Sequence, residues 1–239
     1  MQKNSKTQLN QSLIDGIATL QELALSPEPI GCRELARRLD MEPTRVNRLL
    51  QTLDYIGIAH KTPKRKYTSG SGMHVLSAQS MFASGLLQNA ISSLETLKKF
   101  NQTVALGMLW RDHVSYLFHC LPGMSSTEAL GRIGVFPATK GGVGMALLAQ
   151  WSDEEISNLY ENKELEGYDS VEALLQVIQQ IREKGFAYIK TNDIDYTIAI
   201  AVGKPAFCAI GISGNLSSSS VDEIVQALHE VAQKIENEC

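Results

Sequence analysis

The sequence predicts an α+β protein of two domains, a winged helix-turn-helix followed by a domain built on an antiparallel sheet. Three observations carry that expectation. The first 70 residues read as helix, helix, turn, helix and then a short hairpin. The rest groups alternating strands at 103–120 and 186–213 with helices at either end, as helices against an antiparallel sheet do. The charge also divides. Residues 1–70 hold 11 Lys and Arg against 7 Asp and Glu, a net of +4, whereas residues 71–239 hold 11 against 19, a net of −8. A basic head on an acidic body predicts that only the head meets a polyanion.

The elements follow in order. Leu13, Ile14, Ile17, Leu20 and Leu23 recur at helical spacing and predict a first helix over 9–25, stopped by Ser26-Pro27-Glu28-Pro29. A second helix at 32–39 turns Leu35, Ala36 and Leu39 inward and Arg33, Arg37 and Arg38 outward. Pro43 suits the first position of a third helix, where its missing N–H costs nothing. Val46, Leu49, Leu50 and Leu53 form that helix's apolar stripe, and Gly57 is a natural stop. Short strands at 58–61 and 66–69 flank the loop Thr62-Pro63-Lys64-Arg65. Thr68-Ser69-Gly70-Ser71-Gly72 closes the first domain, residues 1–70. Helices at 73–84 and 86–100 make a linker over 71–100. The second domain, 101–239, starts with strands 103–109 and 114–120. Ser152-x-x-Glu155 and Ser220-x-x-Glu223 read as capping boxes that start later helices. A helix at 170–184 leads into strands near 186–191, 196–202 and 206–213.

The stretch EPTRVNRLL at 42–50 carries the function. A recognition helix must bury one stripe in its own fold and present short polar and long cationic side chains to base edges and phosphates. Thr44, Arg45, Asn47, Arg48 and Gln51 fall on the outer face here. Arginine can bond guanine through two N–H groups, and Asn or Gln can do the same for adenine. Lys64 and Arg65 add a cationic loop where a wing would reach the duplex backbone, and Arg33 adds a cation on the second helix. Arginines on a helix are most often a solvated surface. Here the spacing, the turn and the charged hairpin agree with each other.

Other signals point away from chemistry. The start MQKNSKTQLNQS is polar, so no secretory signal is expected, and no apolar run approaches the ~20 residues of a membrane span. Cys32, Cys120, Cys208 and Cys239 are scattered without C-x-x-C, which predicts reduced thiols in a cytoplasm. Lys140-Gly141-Gly142-Val143-Gly144 lacks the Gly-Lys-Ser/Thr ending of a phosphate loop. His113, His119 and Cys120 lack the further ligands of a zinc site. Asp193 and Asp195, two apart, read first as a polar turn between strands. No catalytic set has supporting context, so neither enzyme chemistry nor a cofactor is expected.

CRELARRLDMEPTRVNRLLQTLDYIGIAHKTPKRKYTSG, GRIGVFPATKGGVGMALLA and CAIGISGNLS stand in this order along the chain. With them the protein resembles the isocitrate-lyase-regulator (IclR) family of bacterial transcription regulators. The resemblance implies a GAF-like effector-binding fold for the second domain, and homodimers or tetramers that pair largely through the N-terminal part. It also implies a pocket for a small molecule, often a carboxylate metabolite, at Gly141, Gly142, Asp193, Asp195, Gly211 and Ser213. Thr139, Gly141 and Gly211 depart from the family's usual His, Ser/Thr and Ser.

The expectation is therefore a cytoplasmic, ligand-responsive regulator, a repressor of a catabolic operon. It would bind a roughly palindromic double-stranded operator and respond to a small organic acid or sugar derivative. Two alternatives stand beside it. One is a metabolite-binding protein or enzyme whose helix-turn-helix is an interaction module. The other is a regulator that no longer responds to a ligand.

Overall fold

The structure, a computed structural model, describes residues 9–161, 163, 165–216 and 221–238. The chain divides into two compact units, with the break between Ala83 and Ser84. That break falls inside the stretch expected to be a linker.

The first unit holds α1 (Gln11–Leu25), α2 (Cys32–Arg38), α3 (Pro43–Tyr55), a two-stranded antiparallel hairpin of β1 (Ala59–Lys61) and β2 (Tyr67–Ser69), and α4 (Ser71–Ser84). Asn10 caps α1 by accepting from the Leu13 N–H at 3.2 Å. Leu23, Leu35, Ala36, Val46, Leu50, Ala59 and Tyr67 make one small core from all three helices and the hairpin. The apolar stripe on α1 is only partly spent on that core. Leu23 is buried, but Leu13, Ile14 and Ile17 are exposed, and Asp15 is buried in their stead. No residue of α4 is buried.

The second unit starts with α5 (Leu86–Thr96), which tightens into a 3-10 turn over Leu97–Phe100 and ends at Asn101 in the left-handed region. The helix expected over 86–100 is thus shorter. Its Leu86, Ala90, Leu94 and Leu97 are buried in this unit's core, so α5 is part of the sheet domain and not of a linker. The sheet contains β3 (Thr103–Trp110), β4 (His113–Cys120), β5 (Val135–Pro137), β6 (Ala187–Lys190), β7 (Tyr196–Val202) and β8 (Cys208–Gly214). Its spatial order is β5-β4-β3-β8-β7-β6, and every pair is antiparallel.

Alternation along the strands sorts side chains to two faces. Val104, Leu106, Ile198, Ile200, Ile210 and Ile212 bury against α5 and α9 (Val221–Glu238). On the opposite face lie α6 (Gly142–Leu148), α7 (Asp153–Tyr160) and α8 (Val171–Lys184). The Ser152 capping box is present: the Glu155 N–H donates to Ser152 Oγ at 3.2 Å, and the Ser152 N–H donates to Glu155 Oε2 at 2.8 Å. Ser220, the first residue of the other predicted box, lies outside the described residues. The short edge strand β5 was not expected from the sequence. Its Phe136 and, beyond β6 at the other edge, Thr191 line one cavity, so the sheet curls until its edges approach each other.

Candidate functional site

Two places have the makings of a site, one in each unit. The first is the outer face of α3. Val46 and Leu50 are sealed in the core and Leu49 and Leu53 are half-buried, whereas Thr44, Arg45, Asn47, Arg48 and Gln51 are exposed. The helix ends in a Schellman motif, with the Ile58 N–H donating to Leu53 O at 2.9 Å and the Gly57 N–H to Asp54 O at 3.0 Å. Gly57 sits there at φ +76, a conformation that glycine adopts without penalty. The chain then enters β1 directly, and the Lys61 N–H donates to Asp54 Oδ1 at 2.8 Å. The hairpin loop is closed by the Thr62 N–H to Lys66 O at 2.8 Å and the Arg65 N–H to Thr62 O at 2.9 Å. Arg65 is left-handed in that turn, at φ +58, and both Lys64 and Arg65 are exposed. Arg33 is exposed on the first turn of α2.

The cations on this unit are not equivalent. Arg37 and Arg38 are occupied by Glu34 at 2.7 and 3.0 Å, and their hydrogen bonds hold its carboxyl down to about 2. Arg45 pairs with Asp15 of α1. The side chains of Arg33, Arg48, Lys64 and Arg65 make no ion pair or hydrogen bond among the described residues. With the exposed Lys66, whose ammonium likewise has no ion pair or hydrogen bond among the described residues, they are groups left for an outside anion.

The second place is a cavity of about 260 Å³ between the sheet and the start of α6. Thr103, Ser213 and Thr197 stand in register across β3, β8 and β7, and Thr197 Oγ1 donates to Ser213 Oγ at 2.9 Å. Beside this row of hydroxyls, Ala105 and Gly211 pair in register and leave a floor free of bulk. Tyr116, His119, Phe136, Gly141 and Asp195 complete the wall. Of the six residues expected here, Gly141, Asp195, Gly211 and Ser213 line the cavity. Gly142 lies just behind, buried against Thr197. Asp193 does not line it; the residue is exposed in the β6–β7 turn. That turn is organised by Asn192, whose Oδ1 accepts from the Ile194 and Asp195 N–H groups at 3.0 and 2.9 Å. Strand alternation therefore does not carry Asp193 to the face of Asp195. Thr139 is also elsewhere, donating to Glu166 O at 2.7 Å.

Sequence reasoning missed Thr103, Tyr116, His119 and Thr197. Strict alternation separates Tyr116 from His119, which are three residues apart. The β3–β4 register, however, shifts between Leu106 and Gly107, so Leu117 is an extra residue and both rings arrive on one face. Their centroids lie 5.8 Å apart, edge to face. Burial pushes the Tyr116 hydroxyl up to about 12, so it keeps its proton at neutral pH. His119 Nδ1 is buried with no hydrogen-bond partner among the described residues. Burial pushes this imidazole below its usual value, and the nearby Arg132 adds to the shift. The unfolded chain therefore takes a proton at His119 before the folded chain does. Stability is unaffected above the usual value of about 6.5 and falls as pH drops below it. Lowering the pH from 7.5 to 5.5 should reduce the melting temperature of the wild type more than that of His119→Gln. Identical pH profiles would contradict the assignment.

Among the described residues, no group of three or more His, Cys, Asp or Glu could hold a metal, and no helix is long and apolar enough to cross a membrane.

A basic helix-and-hairpin unit followed in the chain by an antiparallel-sheet unit with an open-mouthed cavity is an arrangement suited to a two-part regulator. The family model described as bacterial transcriptional regulator IclR C-terminal matches residues 80–237. The chain belongs to the IclR family. It is 29% identical over 242 residues to the HTH-type transcriptional regulator KdgR of Escherichia coli (strain K12), covering 94% of this chain and 90% of that one. It is 25% identical to the transcriptional repressor IclR of the same organism, covering 90% of this chain and 84% of that one. An IclR family regulator from Brucella abortus shares the fold, with a TM-score of 0.79 at 19% identity over 100% of this chain and 95% of the other. These relatives are regulators and not enzymes.

Proposed function

We propose that the protein is a ligand-responsive repressor that reads double-stranded DNA with α3. The single observation that carries this reading is the exposed face of Thr44, Asn47, Arg48 and Gln51, with its unpaired arginine, on a helix whose other side is sealed in the core. In this reading the first unit is a winged helix-turn-helix. Thr44, Arg45, Asn47, Arg48 and Gln51 meet base edges and phosphates in the major groove, while Arg33, Lys64 and Arg65 hold the backbone. The protein acts as a homodimer or a pair of dimers in the cytoplasm. Leu13 and Ile17 on α1 and, separately, Phe82 on α4, 63%, 40% and 88% exposed, support pairing because exposed apolar side chains gain by being covered. Two copies of α3 then enter successive major grooves of a palindromic operator, about one helical turn apart.

The second unit is the GAF-like effector domain. Its hydroxyl row, the unpartnered His119 nitrogen and Asp195 support a small ligand rich in hydrogen-bonding groups, an organic acid or sugar derivative. The names of the relatives KdgR and IclR support regulation, and the second supports repression.

The test is duplex binding as salt rises. Affinity should fall steeply as counterions are released. Lys64→Ala should weaken operator and random duplex alike and reduce the salt slope by about one. A loss confined to the operator would contradict the wing role, and an absence of binding at low salt would end the reading. For the effector, a thermal-shift screen of the full chain against small organic acids and sugars should raise the melting point with a true ligand, which stabilises the fold by about 2.7 kcal/mol at a hundredfold excess over Kd.

A further inference from the structure

We infer that Asp15 is a positioning residue for DNA reading, tethering the guanidinium of Arg45 to α1 by charge so that α3 presents it near one place. The inference rests on the proposed role of α3. Asp15 lies on α1 and is only 4% exposed. Its Oδ1 accepts from Gln11 Nε2 at 2.8 Å, and its buried Oδ2, which has no hydrogen bond among the described residues, forms an ion pair with the Arg45 guanidinium. Burying a carboxylate is costly unless a cation compensates it, so Asp15 needs its cation more than an exposed carboxylate does. The contrast lies within the same unit. Arg37 and Arg38 share the half-exposed Glu34, a geometry that solvent and salt loosen.

The Arg45 side chain remains 46% exposed. A guanidinium has five donors in a rigid fork, so one amino group can lie on Asp15 while the others point outward. An arginine already fixed loses less freedom when it meets a base edge. The outer face of α3 thus carries two kinds of arginine. Arg48 is unpaired among the described residues and adapts; Arg45 is held. The hold comes from α1, the helix that also carries the exposed apolar stripe of Leu13 and Ile17. Any contact that seats α1 therefore also sets Arg45.

Two ordinary explanations of the pair compete with this one. A purely structural ion pair would be satisfied by any cation at this place, whereas the proposal requires the arginine fork, and the two differ in what Arg45→Lys should do. A pair that merely neutralises charge would be as well served by a surface carboxylate.

The experiment compares the full chain with Asp15→Asn, Arg45→Lys and the double variant. Each is titrated against a duplex selected from a random library by the wild type, and against a random duplex. Arg45→Lys keeps a cation for Asp15 and loses the fork, so it keeps the fold while testing the reading. We expect Asp15→Asn to lower discrimination between selected and random duplex about tenfold, the scale of one good base contact. Affinity for random duplex should stay level or rise, because the head loses a negative charge. In the Arg45→Lys background, Asp15→Asn should reduce discrimination no further. An equal loss on both duplexes would make Asp15 merely structural and overturn the inference, as would unchanged discrimination. A wild type that binds no duplex at all would sink the DNA reading itself, whereas a discriminating wild type with an indifferent Asp15→Asn would sink only the positioning role.

Discussion

Replacing Arg48 by alanine should cost about 1–3 kcal/mol of operator affinity, roughly 5- to 150-fold, while binding to random duplex weakens only by the loss of one charge. The reason lies in what surrounds the residue. Arg48 is on the outer face of α3 between Val46 and Leu50, whose side chains are fully buried, so the helix cannot roll to compensate. Its guanidinium has no ion pair or hydrogen bond among the described residues. Alanine therefore removes no interaction within the protein, and the melting temperature should not fall. Alanine also favours a helix slightly more than arginine does. Competition binding on the selected and random duplexes separates the cases. A loss shared equally by both would make Arg48 a phosphate contact and not a reader, and unchanged operator binding would mean that α3 is not the recognition helix.

The other large effect is expected far from DNA. Gly144→Ala should destabilise the second unit by several kcal/mol, although alanine in a helix is normally better than glycine by about 1 kcal/mol. A Cβ at Gly144 would stand 2.2 Å from Ala138 O and 2.5 Å from Ala138 Cα, and backbone cannot swing aside as a side-chain tip can. Every residue of α6 is buried, so the helix has no free direction in which to retreat. The displaced start of α6 would also disturb Gly141 and Val143 on the cavity wall. Gly16→Ala on α1 is the internal control. Its nearest neighbour is Leu49 Cδ2 at 3.9 Å, an ordinary contact, so propensity should win and stability should rise by about 0.5–1 kcal/mol. Thermal and denaturant unfolding of the two variants should move in opposite directions. A stabilised Gly144→Ala would show that α6 is not packed as described.

Much of this was legible in the sequence because the physics is local. The stripe Val46, Leu49, Leu50, Leu53 and the stop at Gly57 mark α3 without reference to the rest of the chain. Ser152 and Glu155 mark the start of α7, and Ser170 caps α8 by accepting from the Ala173 N–H at 3.2 Å. The charge split marks the unit on which Arg33, Arg48, Lys64 and Arg65 stand exposed.

What stayed hidden depends on pairing across the fold. Periodicity finds the apolar residues of α1, but it cannot say that Leu13 and Ile17 stay exposed while Asp15 turns in to meet Arg45. The extra residue at Leu117 is invisible to strict alternation, so His119 was weighed as a metal ligand and not as part of a cavity wall. The polar turn expected at Asp193 and Asp195 is there, organised by Asn192, but the family resemblance that carried both residues into the pocket cannot say that only Asp195 reaches it. The edge strand β5 is three residues long and takes its register from His113–Ser115 of β4, with no pattern of its own.

The central claim is that α3 lies in the major groove of DNA, and methylation interference tests it most directly. Duplex selected by the protein is methylated at guanine N7, which lines the major groove, or at adenine N3, which lines the minor groove, and the bound and free fractions are compared. The account predicts interference at guanine N7 in two half-sites with centres about 10 base pairs or a multiple apart, lost at one position per half-site in Arg48→Ala. Interference at adenine N3 alone, or none at guanine N7, would contradict it.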